Sequence, residues 1–171
     1  LFERVTDPAD LEAVIALETM TNPRILDQVG QIRLVPVEDR VSGPGSSAIM
    51  AAFTHLSPSG SRFTDGTYGV FYAAGNLNTA IAETKHSRAG FMAATQQGRT
   101  DLDMRVYVTD LDGDLHDIRG QMEELPAVYE ANNYSAGQAL ARELREAGEY
   151  GLVYDSVRLR GGQCVAIFRP P

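Results

Sequence analysis

The run SRFTDGTYGVFYAAGNLNTAIAETKH, Ser61 to His86, passes from loop to strand to helix within a single stretch. Gly60 to Gly66 reads as loop. YGVFYAA is apolar, aromatic and β-branched, and reads as a strand. Asn76 or Asn78 is placed to cap a helix from about Thr79 to Ala94. Arg62, Tyr72 and Glu83 stand ten and eleven residues apart. Neither the helical period nor the strand period produces those intervals. The three residues therefore meet only if the loop, strand and helix fold back around one cleft.

On the N-terminal side, SSAIMAAFTHL reads as a short buried helix, with Ile49, Met50 and Phe53 on one face. IRLVPVEDRVSGPGSS reads as an extended piece followed by loop. Asp7 followed by Pro8 is a helix-start signal, and the apolar spacing after it predicts a helix over 8–20. Asn22-Pro23 repeats the signal for a shorter helix ending near Gly30. On the C-terminal side, MRVYVTDL alternates like a half-buried strand, with a turn at Asp112-Gly113 between it and a second short strand. YSAGQALARELREAG predicts a helix with a capping box formed by Ser135 and Gln138, an apolar stripe of Leu140, Ala141 and Leu144, and a stop at Gly148. GLVYDSVRLRGGQCVAIFRP predicts two strands joined by a turn at Gly161-Gly162. Helices and strands are interspersed without regular alternation. The fold class expected is α+β, a mixed and mostly antiparallel sheet with surrounding helices, with residues 1–171 as one domain.

Composition narrows the function classes. The chain has 171 residues, 43% hydrophobic and 22% charged, as a soluble globular domain does. It has no apolar run long enough to span a bilayer and no signal-peptide pattern. The net charge of −8 argues against direct nucleic-acid binding. Cys164 is the one cysteine, lies in the apolar run CVAIF, and reads as a buried thiol in a reducing, cytoplasmic setting.

Several chemistries are excluded by motif. DLDGDLHD suggests a calcium loop, but counting from Asp110 the sixth and twelfth positions hold Leu115 and Gln121 rather than Gly and an acid. His55, His86 and His116 show no zinc-ligand spacing, so no metal site is expected. SGPGSS lacks the lysine of a phosphate-binding loop, and there is no G-x-S-x-G elbow. What remains is Arg62, Tyr72 and Glu83, joined by Ser156 in YDSVR. Taken singly each has an ordinary structural reading: Arg62 a loop charge outside the core, Tyr72 a core aromatic with its hydroxyl satisfied, Glu83 a solvated helix residue, Ser156 a strand end. His86 falls three positions after Glu83, on the same helix face.

As a set, GSRF with Arg62, GVFYAA with Tyr72, TAIAETKH with Glu83 and GLVYDSVRLRGGQCVAIFRP with Ser156 resemble the RES-domain family. Its members are toxins of RES–Xre type II toxin–antitoxin pairs, and its name comes from a recurrent Arg, Glu and Ser. The resemblance runs from about residue 40 to 171. Shorter members carry GGRWN where this chain has GSRFT, so it resembles a longer subtype.

The resemblance implies an ADP-ribosyltransferase-like fold and an enzyme that consumes NAD+ as substrate, with no prosthetic group. Family outcomes include ADP-ribosylation of a protein side chain, phosphorolysis and hydrolysis. Cleavage of the nicotinamide–ribose bond builds an oxocarbenium-like charge, which a carboxylate stabilises. On this resemblance Glu83 supplies the carboxylate, Arg62 clamps the pyrophosphate, Tyr72 stacks on nicotinamide or ribose, and Ser156 holds Glu83 or the ribose. His55 and His86 are further substrate-binding candidates. The expected partner is a cognate antitoxin with an Xre-like helix-turn-helix domain; no membrane is expected, and a homodimer is left open. The competing reading is a non-catalytic domain that uses a nucleotide cleft for partner recognition.

Overall fold

A computed structural model describes residues 3, 7–22, 25, 29–95 and 101–171. Its strands are β1 (Phe71–Ala74), β2 (His116–Asp117), β3 (Gly151–Asp155) and β4 (Gln163–Ile167), in the spatial order β1-β4-β3-β2. The central strand β4 runs antiparallel to both β1 and β3, while β2 lies parallel to β3. The described helices are α1 (Leu11–Thr21), α2 (Ser46–Thr54), α3 (Leu77–Thr95) and α4 (Ser135–Glu146). The chain is therefore α+β with a mixed sheet. No described helix is long and apolar enough to cross a membrane.

Side-chain alternation along the strands divides the core in two. Leu152, Tyr154, Cys164 and Ala166 face one way and pack with Phe63, Ala141 and Leu144. Phe71, Val165 and Ile167 face the other way and pack with Leu11, Met50 and Phe53 of the N-terminal helices. Phe63, Leu11, Met50 and Leu152 are fully buried. Truncating any of them to Ala costs on the order of 3 kcal/mol in lost transfer energy and cavity formation. Buried Arg40 ties the N-terminal part together through Val35 O at 3.0 Å and Glu12 Oε1 at 2.8 Å.

Most elements fall where the sequence puts them. Asp7 Oδ1 accepts from Ala9 N at 2.9 Å, starting a short 3₁₀ turn, Pro8–Asp10, that runs into α1. The helix expected from Asn22-Pro23 to Gly30 lies largely outside the described residues. IRLVPVED is not extended but forms two 3₁₀ turns, Ile32–Leu34 and Val37–Asp39, because that spacing buries Ile32 and Val35 together. MRVYVTDL forms no strand: Val106 is 65% and Val108 91% exposed. Alternation supplies propensity, but no neighbouring strand supplies a ladder. The turn at Asp112-Gly113 accordingly has a strand only on its far side, at β2. The capping box of α4 is also absent. Asn133 Oδ1 takes the Ser135 N–H at 3.1 Å and hydroxyl at 2.8 Å, while Gln138 is drawn away to another loop. The β3–β4 connection occupies residues 156–162 rather than a tight Gly-Gly turn.

One close approach fixes α3 against that connection. A Cβ at Gly162 would stand 2.5 Å from Thr79 Oγ1 and 2.7 Å from its Cγ2. Thr79 is fully buried in the first turn of α3. Gly162→Ala is therefore expected to lower stability by about 1–3 kcal/mol through overpacking. Gly90→Ala, in the same helix with open space around it, should instead gain up to about 1 kcal/mol. Urea midpoints of the two variants should move in opposite directions; a shared direction would show that the Thr79–Gly162 contact constrains nothing.

Candidate active site

The carboxylate of Glu83 is placed by the first turns of α3. Asn76 Oδ1 accepts from Thr79 N at 2.9 Å and from Thr79 Oγ1 at 3.1 Å, starting the helix directly after β1. Thr79 packs on Gly162, and Glu83, four residues on, shares its face. Glu83 thereby reaches the start of the same connection. Ser156 is 4% exposed. Its Oγ accepts from Arg158 N at 3.1 Å and Leu159 N at 3.0 Å, and donates to Glu83 Oε1 at 2.6 Å. With both acceptor positions occupied by backbone N–H groups, the hydroxyl proton is directed away from the loop backbone. That direction is the carboxylate, and 2.6 Å is the length of a charge-assisted O–H···O⁻ bond. Among the described residues, Oε1 is the Glu83 oxygen that takes a hydrogen bond.

Tyr72 and Arg62 are joined through the turn at 61–64. Tyr72 lies on β1 and is 39% exposed, but its hydroxyl bonds into that turn. The oxygen is 2.7 Å from Ser61 Oγ and accepts from Phe63 N at 3.0 Å. From the other side Gln138 Nε2 of α4 donates to Ser61 O at 3.0 Å and Thr64 O at 3.2 Å. Gly137 lets the helix come this near, since a Cβ there would stand 2.5 Å from Arg62 O.

Arg62 is not the solvated loop charge outside the core that its neighbours in sequence suggest. It is 8% exposed, and its NH1 donates to Val128 O at 2.8 Å and Glu130 O at 2.7 Å. The guanidinium lies 4.9 Å from the Tyr134 ring centroid. A cation this buried is tolerated because neutral carbonyls satisfy part of it.

The two histidines are placed differently. His86, on the Glu83 face of α3, has Nε2 3.4 Å from Tyr134 Oη. Its pKa is lowered, first by desolvation and then by the positive charge of Arg158, against the opposing pull of Glu83. The neutral imidazole is thus favoured. His55 follows α2, with Nδ1 3.1 Å from Thr54 Oγ1 and its ring against Gly30.

Sequence reasoning missed Tyr134 and Arg158. Arg158 NH2 donates to Ala131 O, and lies 3.4 Å from Tyr134 Oη. The position of Arg158 two residues after Ser156 was the one available signal. Cys164 lies beneath the cluster. Burial pushes its thiol up to about 11, with the Glu83 charge adding to the shift and Tyr154 and Ser156 hydrogen bonds opposing it. It is a neutral core thiol rather than a nucleophile. Among the described residues no group of His, Cys, Asp or Glu side chains is arranged to hold a metal ion. A cavity of about 270 Å³ lies elsewhere, lined by residues including Val35, Phe53, Tyr68, Arg145 and Arg169, and shares no lining residue with the Glu83 cluster.

The arrangement presents one oriented carboxylate, two guanidiniums held by carbonyls, and a partly open aromatic face. The family model for the RES domain matches residues 37–171, which contain all four strands, α2 to α4, and Arg62, Tyr72, Glu83 and Ser156. The chain is also 25% identical over 169 residues to the uncharacterized protein y4oC of Sinorhizobium fredii (strain NBRC 101917 / NGR234), covering 99% of this chain and 69% of that protein.

The Tyr72 hydroxyl generates a pH dependence. Burial pushes it up to about 12 from 10.0, against the hydrogen bonds of Ser61 and Phe63. Burial likewise raises Tyr68, Tyr129 and Tyr154. Between pH 10 and 12 the unfolded chain has released protons that folded Tyr72 retains. The stability it contributes is complete below pH 10 and falls as pH rises toward 12. Tyr72→Phe should cost about 1–3 kcal/mol at neutral pH by orphaning Phe63 N–H, and should flatten part of the alkaline fall. Denaturation curves across that range test this; an alkaline profile identical to wild type would exclude the buried hydroxyl.

Proposed function

The chain belongs to the RES domain family, and on that premise we propose that it is a toxin that cleaves NAD+ at the nicotinamide–ribose bond and passes ADP-ribose to an acceptor. RES domains are associated with toxin–antitoxin pairs and with the use of NAD. The observation that carries the proposal is the Ser156–Glu83 bond at 2.6 Å, which fixes a carboxylate that no cation pairs within 4.0 Å among the described residues. The ADP-ribosyltransferase-like fold implied by the resemblance belongs to the same proposal, as does a cognate antitoxin with a helix-turn-helix domain.

In the proposed reaction the C1′–N bond breaks and its electron pair stays with nicotinamide, whose ring nitrogen loses its positive charge. The ribose is left as an oxocarbenium-like cation. Glu83 supplies the fixed negative charge that this cation needs, and Ser156 keeps that charge from reorienting. The Tyr72 hydroxyl is committed to the 61–64 turn, so its half-exposed ring is the part free to stack on nicotinamide or ribose. Arg62 spends NH1 on two carbonyls, and its Nε and NH2 are free of protein acceptors among the described residues. Those two N–H groups suit the bidentate grip of a phosphate. An acceptor oxygen from water, phosphate or a protein side chain then bonds to C1′ and gives up its proton. A non-catalytic cleft would bind the nucleotide and release no nicotinamide.

Glu83→Gln tests the reading because Gln keeps an oxygen for Ser156 and removes only the charge. Nicotinamide release should fall by roughly a hundredfold or more. Affinity for NAD+ should change far less, since the lost interaction belongs to the transition state. The growth arrest expected on expressing the wild-type chain without an antitoxin should disappear, while the melting temperature stays close to wild type. A folded Glu83→Gln chain that cleaves NAD+ at the wild-type rate would reject the mechanism.

A further inference from the structure

Arg62 and Arg158 are separated by most of the chain yet are anchored to one short stretch of backbone. Arg62 donates to Val128 O and Glu130 O at 2.8 and 2.7 Å, and Arg158 donates to Ala131 O. Tyr134 joins them. Its ring lies 4.9 Å from the Arg62 guanidinium, and its hydroxyl lies 3.4 Å from Arg158 NH2 and 3.4 Å from His86 Nε2. Both guanidinium charges are felt at His86, where each lowers the pKa.

Bringing two like charges together where one is buried and the other half-buried is unfavourable unless an opposite charge lies nearby. The protein does not supply that charge directly. Among the described residues the ion pairs within 4.0 Å are Arg40–Glu12, Arg119–Asp117 and Arg142–Asp65, and none involves Arg62 or Arg158. Their hydrogen-bond acceptors are neutral carbonyls and a phenol. Donor capacity is also left over: Arg158 Nε is buried without an acceptor, and Arg62 Nε and NH2 have none among the described residues. Anchoring the loop after Ala131 explains the NH2 of Arg158 but leaves its Nε unexplained. In a chain with a net charge of −8, this is a local positive site.

We propose that Arg62 and Arg158 form a paired-guanidinium cradle for a diphosphate, which makes Arg158 a second phosphate-binding residue of the site. Two planar forks anchored to one stretch of backbone and to Tyr134 suit two adjacent phosphate groups, each able to accept bidentate hydrogen bonds. A mononucleotide or a nucleoside engages one fork or none. The cradle thus selects for a dinucleotide joined through a diphosphate, and Tyr134 positions both forks. This deepens the NAD+ reading and rests on it for the identity of the natural substrate, but the anion preference itself does not.

The experiment is calorimetric titration with inorganic pyrophosphate, paired with steady-state NAD+ cleavage. It compares wild type with Arg158→Gln, which keeps a donor for Ala131 O, and with Arg105→Gln, which removes a charge from an exposed segment. Arg158→Gln should weaken pyrophosphate binding about tenfold or more. It should raise KM for NAD+ by a similar factor with kcat little changed, and it should make binding less sensitive to salt. Arg105→Gln should match wild type. If Arg158→Gln does not fold, Arg158→Lys keeps the charge and loses the fork, and should still weaken binding about threefold or more. Unchanged pyrophosphate affinity and KM in a folded Arg158 variant overturn the cradle, and leave the NAD+ reading standing if wild type releases nicotinamide. Pyrophosphate binding that depends on Arg158, in a wild-type chain that releases no nicotinamide, upholds the cradle and rejects the NAD+ reading.

Discussion

At Gly162 the first turn of α3 comes so close to the β3–β4 connection that a methyl group would sit 2.5 Å from Thr79 Oγ1. The geometry of the site follows from this approach. Because Thr79 is seated there, the next turn of the helix is committed to the same loop, and Glu83 reaches Ser156. Ser156 N in turn donates to Gly162 O at 2.8 Å, so the two contacts brace each other across the connection. A helix displaced by one side-chain layer would leave Glu83 in water and the Ser156 hydroxyl without an acceptor. Packing at a position with no chemistry of its own therefore sets the orientation of the carboxylate.

The strands make this precision possible. β4 is hydrogen-bonded on both edges, and the N-terminal core packs on the face opposite the site. The connection at 156–162 consequently hangs from two strands that cannot shift in register without turning Tyr154 and Cys164 out of the core. The other wall is held by polar contacts instead. Tyr72 Oη, Gln138 Nε2 and the Arg62 guanidinium each satisfy backbone groups of loops that have no ladder. In this wall one side chain carries a structural role and, on the proposed reading, a binding role. NH1 of Arg62 is structural, and its remaining N–H groups have no acceptor among the described residues.

The parts legible in sequence were those specified locally. Asp7-Pro8, Asn76 ahead of Thr79, the apolar run of β1 and the closing hairpin each carry their signal within a few residues, and each formed. The meeting of Glu83 with Ser156 was legible as a pattern across 73 residues, though not as a distance. Three features depend on distant partners and were not legible. MRVYVTDL has the alternation of a strand but no neighbour to pair with. Gln138 has capping-box spacing from Ser135, but the carbonyls of Ser61 and Thr64 compete for it and win. Arg62 has the neighbours of an exposed loop residue, yet carbonyls 66 and 68 residues away bury it. Tyr134 and Arg158 fall inside the stretches YSAGQ and YDSVR, but their contacts run between irregular segments, so residue type alone did not single them out.

The choice of partners around Glu83 has an electrostatic logic. A guanidinium placed against the carboxylate would hold it firmly but would also cancel its charge, leaving little field for a cation forming nearby. A serine hydroxyl contributes a dipole rather than a net charge. It fixes one oxygen and adds no opposing charge. The two guanidiniums nearest this region are meanwhile tied to neutral acceptors, so their charge is not cancelled either. Opposite charges are thus kept close but not paired. Such an arrangement costs stability in the empty protein, because each ion forgoes its best partner in a partly dehydrated place. On the proposed reading, that cost is recovered when a molecule with a diphosphate at one end and a developing cation at the other binds between them, most fully at the transition state.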